Sequence, residues 1–172
     1  SWPGPIRKRR RPMSIETVRA CFRALGREQD ILEFPVSSAT VELAAQAVGV
    51  IPARIAKTLS FSVEDGCVLI VCAGDAKIDN TKYKAMFHCK AKMLTAEEVL
   101  DFTGHAVGGV CPFGIDNPAV TTYLDISLRR FDTVYPAAGS SNSAIQLTCD
   151  ELAEYAHSAG WVDVCKNWQP EE

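Results

Sequence analysis

Thr58-Leu59-Ser60-Phe61-Ser62-Val63 and Val68-Leu69-Ile70-Val71-Cys72-Ala73, joined by Glu64-Asp65-Gly66-Cys67, read as one β-hairpin. Both arms are rich in β-branched, aromatic and other apolar residues, which suit a pleated, largely buried surface, and the linker carries two acids and a glycine. Gly66 is expected to take the positive φ that a tight turn asks for. Two strands joined this closely must pair antiparallel, and no regular alternation of strand and helix follows them. The chain therefore predicts an α+β fold, a mixed sheet with helices packed on it, with no repeated βαβ unit.

On the N-terminal side, Ile15 to Leu25 places Val18, Cys21, Phe22 and Leu25 on one face of a helix that Ser14 can cap and Gly26 can stop. Ile31 to Phe34 reads as a short strand ended by Pro35, and Thr40 to about Val48 as a helix closed by Gly49. Pro52 opens a short turn toward Lys57. On the C-terminal side, Gly74 to Asn80 breaks the strand, and Asp79 or Asn80 caps a helix reaching about Phe87. Ala91 to Leu94 is a brief extended piece. Thr95-Ala96-Glu97-Glu98 and Thr148-Cys149-Asp150-Glu151 are capping boxes, opening helices that end before Gly104 and near Gly160. Thr121 to Ile126, Thr133 to Tyr135, Ala144 to Leu147 and Trp161 to Val164 have strand character.

The 172 residues are 47% hydrophobic, which suits a single domain with a sizeable core. Residues 1–12 read as a basic tail or a cloning remnant outside the fold, leaving 13–172 as the domain. Arg7, Lys8, Arg9, Arg10 and Arg11 supply +5 there, so the net charge of −3 leaves −8 for the remainder. An acidic body argues against coating a nucleic-acid backbone, and DNA is not an expected partner. No apolar run approaches the ~20 residues of a membrane span, and no leader pattern stands near the start, so a soluble, cytoplasmic protein without a membrane partner is expected. The seven cysteines are odd in number and contain no Cys-x-x-Cys pair, so they read as reduced, mostly buried thiols, with neither a disulfide framework nor a zinc site.

Gly104-His105-Ala106-Val107-Gly108-Gly109-Val110-Cys111-Pro112-Phe113-Gly114 is too rich in glycine for a good helix or a long strand. It is either a plain connection or a shaped loop whose backbone can approach a ligand. Read with Lys57 and with Gly139-Ser140-Ser141-Asn142-Ser143-Ala144, the second reading gains weight.

Ser37-Ser38-Ala39-Thr40, Arg54-Ile55-Ala56-Lys57-Thr58-Leu59, Ala73-Gly74-Asp75-Ala76-Lys77-Ile78-Asp79, Gly108-Gly109-Val110-Cys111-Pro112-Phe113-Gly114 and Gly139 to Ala144 occur in that order. Together they resemble the YbaK/EbsC-type proteins, relatives of the inserted editing domain of bacterial prolyl-tRNA synthetase, across about residues 14 to 166. The resemblance implies a strongly curved, barrel-like mixed sheet and a free-standing deacylase that hydrolyses a wrong amino acid from tRNA. It implies the acceptor end of aminoacyl-tRNA as partner, with an aminoacyl-tRNA synthetase as a further one, and neither cofactor nor metal. Lys57 matches the family's functional lysine, which holds the 3′-terminal phosphate or nearby polar atoms. Gly108 and Pro112 match the G-x-x-x-P loop that bounds the amino-acid pocket and places the ester, a water or the ribose hydroxyl. Gly109, Val110 and Cys111 of the same loop, Ser38, and Gly139, Ser140, Ser141, Asn142 and Ser143 are the expected substrate contacts, with Phe34 a further candidate for the pocket. An activated ester needs mainly positioning and charge stabilisation, so no strong protein nucleophile is obligatory. Small residues around the loop favour alanine, serine or cysteine over proline.

Several residues read two ways. Lys77, Lys82, Lys84, Lys90 and Lys92 face one acid, Asp79, between 76 and 94, giving +4 locally. Lys77, Lys82 and Lys84 in particular are a tRNA-facing patch or a solvated helix face. Ser140 to Ser143 recognise ribose or amino acid, or form a hydrogen-bonded turn. His105 is a general-base candidate or caps the preceding helix end. Cys111 with His105 would suit a thiol hydrolase, but no third orienting group accompanies them. Asp75, Asp79 and Asp125 suggest a metal less simply than they suggest caps and turns. The rival of another class is a non-catalytic module that uses the same groove to hold tRNA or a protein.

Overall fold

A computed structural model describes residues 14–169; the expected tail at residues 1–12 lies outside the described residues. In chain order the elements are helix α1 (Ser14–Ala24), strand β1 (Leu32–Glu33), helix α2 (Val41–Val48), and strands β2 (Ile55–Val63), β3 (Gly66–Ala73) and β4 (Lys77–Ile78). Helices α3 (Asn80–Phe87) and α4 (Ala96–Thr103) follow, then strands β5 (Val120–Asp125), β6 (Thr133–Pro136), β7 (Ser143–Ala144) and β8 (Leu147–Thr148). Helix α5 (Cys149–Tyr155) and strands β9 (Trp161–Val162) and β10 (Cys165–Lys166) complete the fold. Six strands in the order β8-β6-β2-β3-β5-β9 curl into a half-barrel, with β1 pairing β7 and β4 pairing β10 beside it.

The hairpin forms, β2 against β3 without a break from Ala56↔Ala73 to Val63↔Gly66. Its turn chemistry differs from expectation. Asp65 takes the positive φ, at 63°, whereas Gly66 is needed because a Cβ there would stand 2.2 Å from the Ala119 carbonyl oxygen. Strand β3 is buried from Cys67 to Ala73 and runs between β2 and β5, the latter parallel to it. That position explains its unbroken apolar run.

The other edge of β2 is covered only at its ends. Strand β6 pairs in parallel at Ile55 and Ala56. At the far end, Ser62 N–H donates to the Lys92 carbonyl (2.8 Å) and Leu94 N–H to the Ser60 carbonyl (3.2 Å), which is the extended piece read at residues 91–94. Among the described residues, no strand lies on this edge beside Lys57 to Leu59. The gap matters for the site.

The caps read at Asp79, Thr95 and Thr148 form, and Thr40, read as the first helical residue, is itself a cap. Thr40 accepts from Leu43 N–H and Asp79 from Thr81 and Lys82 N–H, while Thr95 with Glu98 and Thr148 with Glu151 close complete capping boxes. Helix α1 buries Val18 and Phe22 on the sheet; Leu25, beyond its end, is 45% exposed rather than part of that face. Phe22 meets Phe113 edge-on at 5.0 Å and Tyr155 at 5.7 Å, fixing α1 against the end of the glycine-rich loop and against α5.

Candidate functional site

Lys57 rises from the uncovered stretch of β2, and its Nζ donates to the carbonyls of Ala76 (2.5 Å) and Gly74 (3.3 Å). An ammonium has three N–H groups, so one remains for a ligand. The two carbonyls are held in place. Between them Asp75 receives the Arg130 fork at 2.6 and 2.9 Å, and Arg130 Nε donates to the Ser127 carbonyl at 2.9 Å. Gly74 itself runs beneath α2, where a Cβ would stand 2.1 Å from the Pro52 carbonyl oxygen and 2.6 Å from Val41.

Two loops form the opposite wall. Gly108 sits at φ +96°, and Gly109, whose N–H donates to the Ala106 carbonyl, packs so tightly that a Cβ would come within 2.9 Å of the Ser140 backbone. The Ser140 loop is tied to the stretch after β1. Phe34 N–H donates to the Asn142 carbonyl (2.8 Å), Asn142 Nδ2 to the Phe34 carbonyl (3.0 Å) and Ser38 N–H to the Ser141 carbonyl (2.6 Å). Ser140 Oγ donates to Asn142 Oδ1 at 2.9 Å and lies 2.7 Å from Ser143 Oγ. The polar groups of residues 140–143 are thus engaged partly with each other and partly with Phe34 and Ser38.

Between these parts lies a cavity of about 320 Å³. Ser38 to Val41 and Ala44 wall one side, Lys57 to Ser60 the floor, Met93, Leu94, Val107, Gly108 and Val110 another side, and Tyr135, Ala137, Ser143 and Ala144 the back. Lys57 is the one charged side chain among these lining residues. The sequence reading missed Thr58. Its Oγ1 is buried without a hydrogen-bond partner among the described residues, and only the strand pairing reveals that its backbone is uncovered too.

Of the expected site residues, the cavity brings together Lys57, Ser38, Gly108, Val110 and Ser143. Gly109, Gly139, Ser140, Ser141 and Asn142 shape it from behind, and Phe34 takes part through its main chain. Gly139, at φ +96°, abuts α1, where a Cβ would stand 2.8 Å from the Ser14 carbonyl oxygen and from Val18. Pro112 is buried on the far side, against a separate depression with Ile115 and Val120. Cys111 does not reach the cavity. Its side chain is fully buried, its Sγ lies 3.6 Å from His105 Nε2, and burial pushes the thiol up to about 12, which leaves almost no thiolate near neutrality.

His105 is 1% exposed and neither caps α4 nor faces the cavity. Its Nε2 donates to the Phe113 carbonyl (2.7 Å), which fixes the tautomer and leaves Nδ1 to accept from the Ser14 hydroxyl. Ser14, at the start of α1, thus bonds across to the loop. Burial holds the imidazole below its ordinary pKa, and the Phe113 bond opposes that only in part. The tie fastens the glycine-rich loop to α1.

Lys82 donates to Asp163 (3.0 Å) and to the Cys165 carbonyl (3.3 Å), whereas Lys77 and Lys84 are exposed. Asp79 caps α3, and buried Asp125 accepts from the N–H groups of Ser127 and Val164, both at 2.9 Å. Among the described residues no cluster of three His, Cys, Asp or Glu could hold a metal, and no helix is long and apolar enough to cross a membrane.

Comparison with known proteins gives a consistent picture. The family described as aminoacyl-tRNA editing domain matches residues 36–155. An uncharacterised protein of Bacillus subtilis, YwhH, is 57% identical over 159 residues, covering 91% of this chain and all of the relative. Proline–tRNA ligase of a Thermotoga species is 31% identical over 93 residues, 54% of this chain but 16% of the ligase. Among solved structures, one described as a candidate trans-editing enzyme for prolyl tRNA synthetase superposes with a TM-score of 0.80 at 30% identity, covering 89% of this chain and 97% of that one. The hypothetical protein APE2540 superposes at 0.76 with 27% identity, covering 87% of this chain and 99% of that one.

Proposed function

We propose that this chain, which belongs to the aminoacyl-tRNA editing domain family, is a free-standing cytoplasmic deacylase that hydrolyses the ester of a mischarged tRNA without a metal. The observation that carries the reading is the cavity with Lys57 as its single charge, held by two carbonyls with one N–H to spare. That N–H binds the 3′-terminal phosphate of the acceptor end, where a compact, strongly hydrated ammonium suits a single anionic oxygen. The acyl group enters between Gly108, Val110 and the small residues Ala44, Ala137 and Ala144, with Ser38 and Ser143 as its polar neighbours. Pro112, buried behind them, stiffens the loop. A water, or the ribose hydroxyl next to the ester, attacks the activated carbonyl; geometry and electrostatics supply the acceleration. Exposed Lys77 and Lys84 guide the acceptor stem more than Lys82 does, which Asp163 already neutralises.

Alanyl, seryl and cysteinyl esters fit walls this small, and tRNA-Pro is the carrier that the likeness to prolyl-tRNA ligases favours, with such a synthetase as a partner. Incubation with alanyl-, seryl- and cysteinyl-tRNA-Pro beside cognate prolyl-tRNA-Pro tests the reading. Selective release of one or more small residues supports it. Binding of the tRNA with the ester protected would assign the groove to a non-catalytic module.

A further inference from the structure

Resting on the deacylase reading, a finer inference follows from the gap on β2. The β2–β3 register has no bulge, so main-chain groups alternate strictly between the two edges of β2. Ser60 and Ser62 point away from β3, because they bond to Leu94 and Lys92. Ala56 points the same way, toward β6. Thr58 must do so too, and it stands where neither neighbour reaches. Among the described residues nothing pairs with its N–H and C=O, which face the cavity as a donor and an acceptor a single residue wide. Uncovered strand edges are templates for pairing, and a free donor and acceptor side by side are met most fully by a ligand that carries the complementary pair.

We infer that the acyl group of the substrate fills this gap as a one-residue strand. An α-amino ester is a strand residue in miniature. Its ammonium donates to the Thr58 carbonyl, and its ester carbonyl accepts from the Thr58 N–H, the reciprocal exchange of a hydrogen-bonded antiparallel pair. The second bond places a main-chain donor on the oxygen that gains negative charge during hydrolysis. The substrate class narrows to α-amino acyl esters whose nitrogen carries a free hydrogen-bond donor, and the preference rests on the backbone rather than on any side chain.

The test uses tRNA-Pro charged with alanyl, seryl and cysteinyl groups, each beside its deaminated counterpart: propionyl, 3-hydroxypropionyl and 3-mercaptopropionyl. Each enzymatic rate is divided by the uncatalysed hydrolysis rate of the same ester, since the ammonium itself activates the carbonyl. Loss of a charge-assisted hydrogen bond corresponds to a corrected rate about 10- to 100-fold lower for the deaminated ester. Lactyl-tRNA, which keeps a neutral donor in place of the amine, falls between alanyl and propionyl. Thr58→Val removes Oγ1 and keeps the β-branched shape, so the amine preference persists in that variant. Corrected rates within about threefold of each other for alanyl and propionyl, or a preference that vanishes in Thr58→Val, overturn the inference while leaving the deacylase reading intact. No release of any ester by the unmodified protein overturns the reading and the inference together.

Discussion

Lys57 keeps one N–H after the Ala76 and Gly74 carbonyls have taken two, and that remainder is what the lysine offers a ligand. Arginine is a poor replacement, because its planar fork cannot sit between two carbonyls spaced for a compact ammonium. Lys57→Arg is therefore expected to lose kcat/KM for the preferred ester by about 10- to 100-fold, much as removal of the charge would; activity near that of the unmodified protein would contradict this. Cys111 predicts the opposite. With its thiol buried and pushed up to about 12, Cys111→Ala keeps deacylation within about threefold, and a fall of several orders of magnitude would restore the thiol-hydrolase rival. His105 carries a pH prediction. Its pKa is lower in the fold than the unfolded value of about 6.5, so the unfolded chain binds the extra proton. The stability this residue contributes is complete above that pH and declines as the pH falls below it. Chemical denaturation at pH 7.5 and 5.5 checks the sign: the native protein loses more stability on acidification than His105→Gln, whose amide can still donate to Phe113.

At the scale of elements, what the sequence made readable was local. Asp79, Thr95 with Glu98 and Thr148 with Glu151 cap the helices they precede, because a cap and its target lie within four residues. The hairpin was readable for the same reason. Gly49 and Gly104, read as helix stops, are the left-handed C-caps of α2 and α4, but the glycines of close approach were not readable, since what they avoid is distant in sequence: Gly66 meets Ala119, Gly74 meets Pro52 and Val41, and Gly109 meets Ser140. Spacing along the chain carries no trace of such approaches. Nor could it show that Ser14 and Phe113 share His105, or that Cys111 turns inward while its neighbours Gly108 and Val110 face the cavity. The Gly109 contact yields a test at this scale. Gly109→Ala forces the two loops apart, with an expected loss of about 1–3 kcal/mol in unfolding free energy and a larger fall in kcat/KM than in stability-matched variants elsewhere. Gly49→Ala, at an exposed positive-φ cap with open space around its Cβ position, is a suitable control.

For the whole molecule, the mixed α+β class was legible because a tight hairpin followed by irregular strands admits few other arrangements, whereas the curvature of the sheet was an expectation from the resemblance of the five ordered motifs. The gap in β2 was not, because it depends on where β6 leaves the sheet and where residues 92–94 join it. Charge also acts at this scale. Among the described residues Lys57, Lys77 and Lys84 are the contacts proposed for the tRNA, and three such contacts, in a protein lacking residues 1–13, hold few phosphates. The slope of log K against log salt for tRNA binding is accordingly expected near −2 to −3, by a release of about 0.7 to 0.9 counterions per phosphate; a slope steeper than about −6 would require a far wider footprint. Lys77→Ala and Lys84→Ala each weaken binding more than Lys82→Ala does. The central claim, that the Lys57 cavity hydrolyses an aminoacyl ester, is tested most directly by single-turnover deacylation of alanyl-, seryl- and cysteinyl-tRNA-Pro by the native protein and by Lys57→Ala. The account predicts release well above the uncatalysed rate for at least one ester, lost in a Lys57→Ala protein that still folds. An ester that survives in a bound complex, or a Lys57→Ala protein as active as the native one, would contradict it.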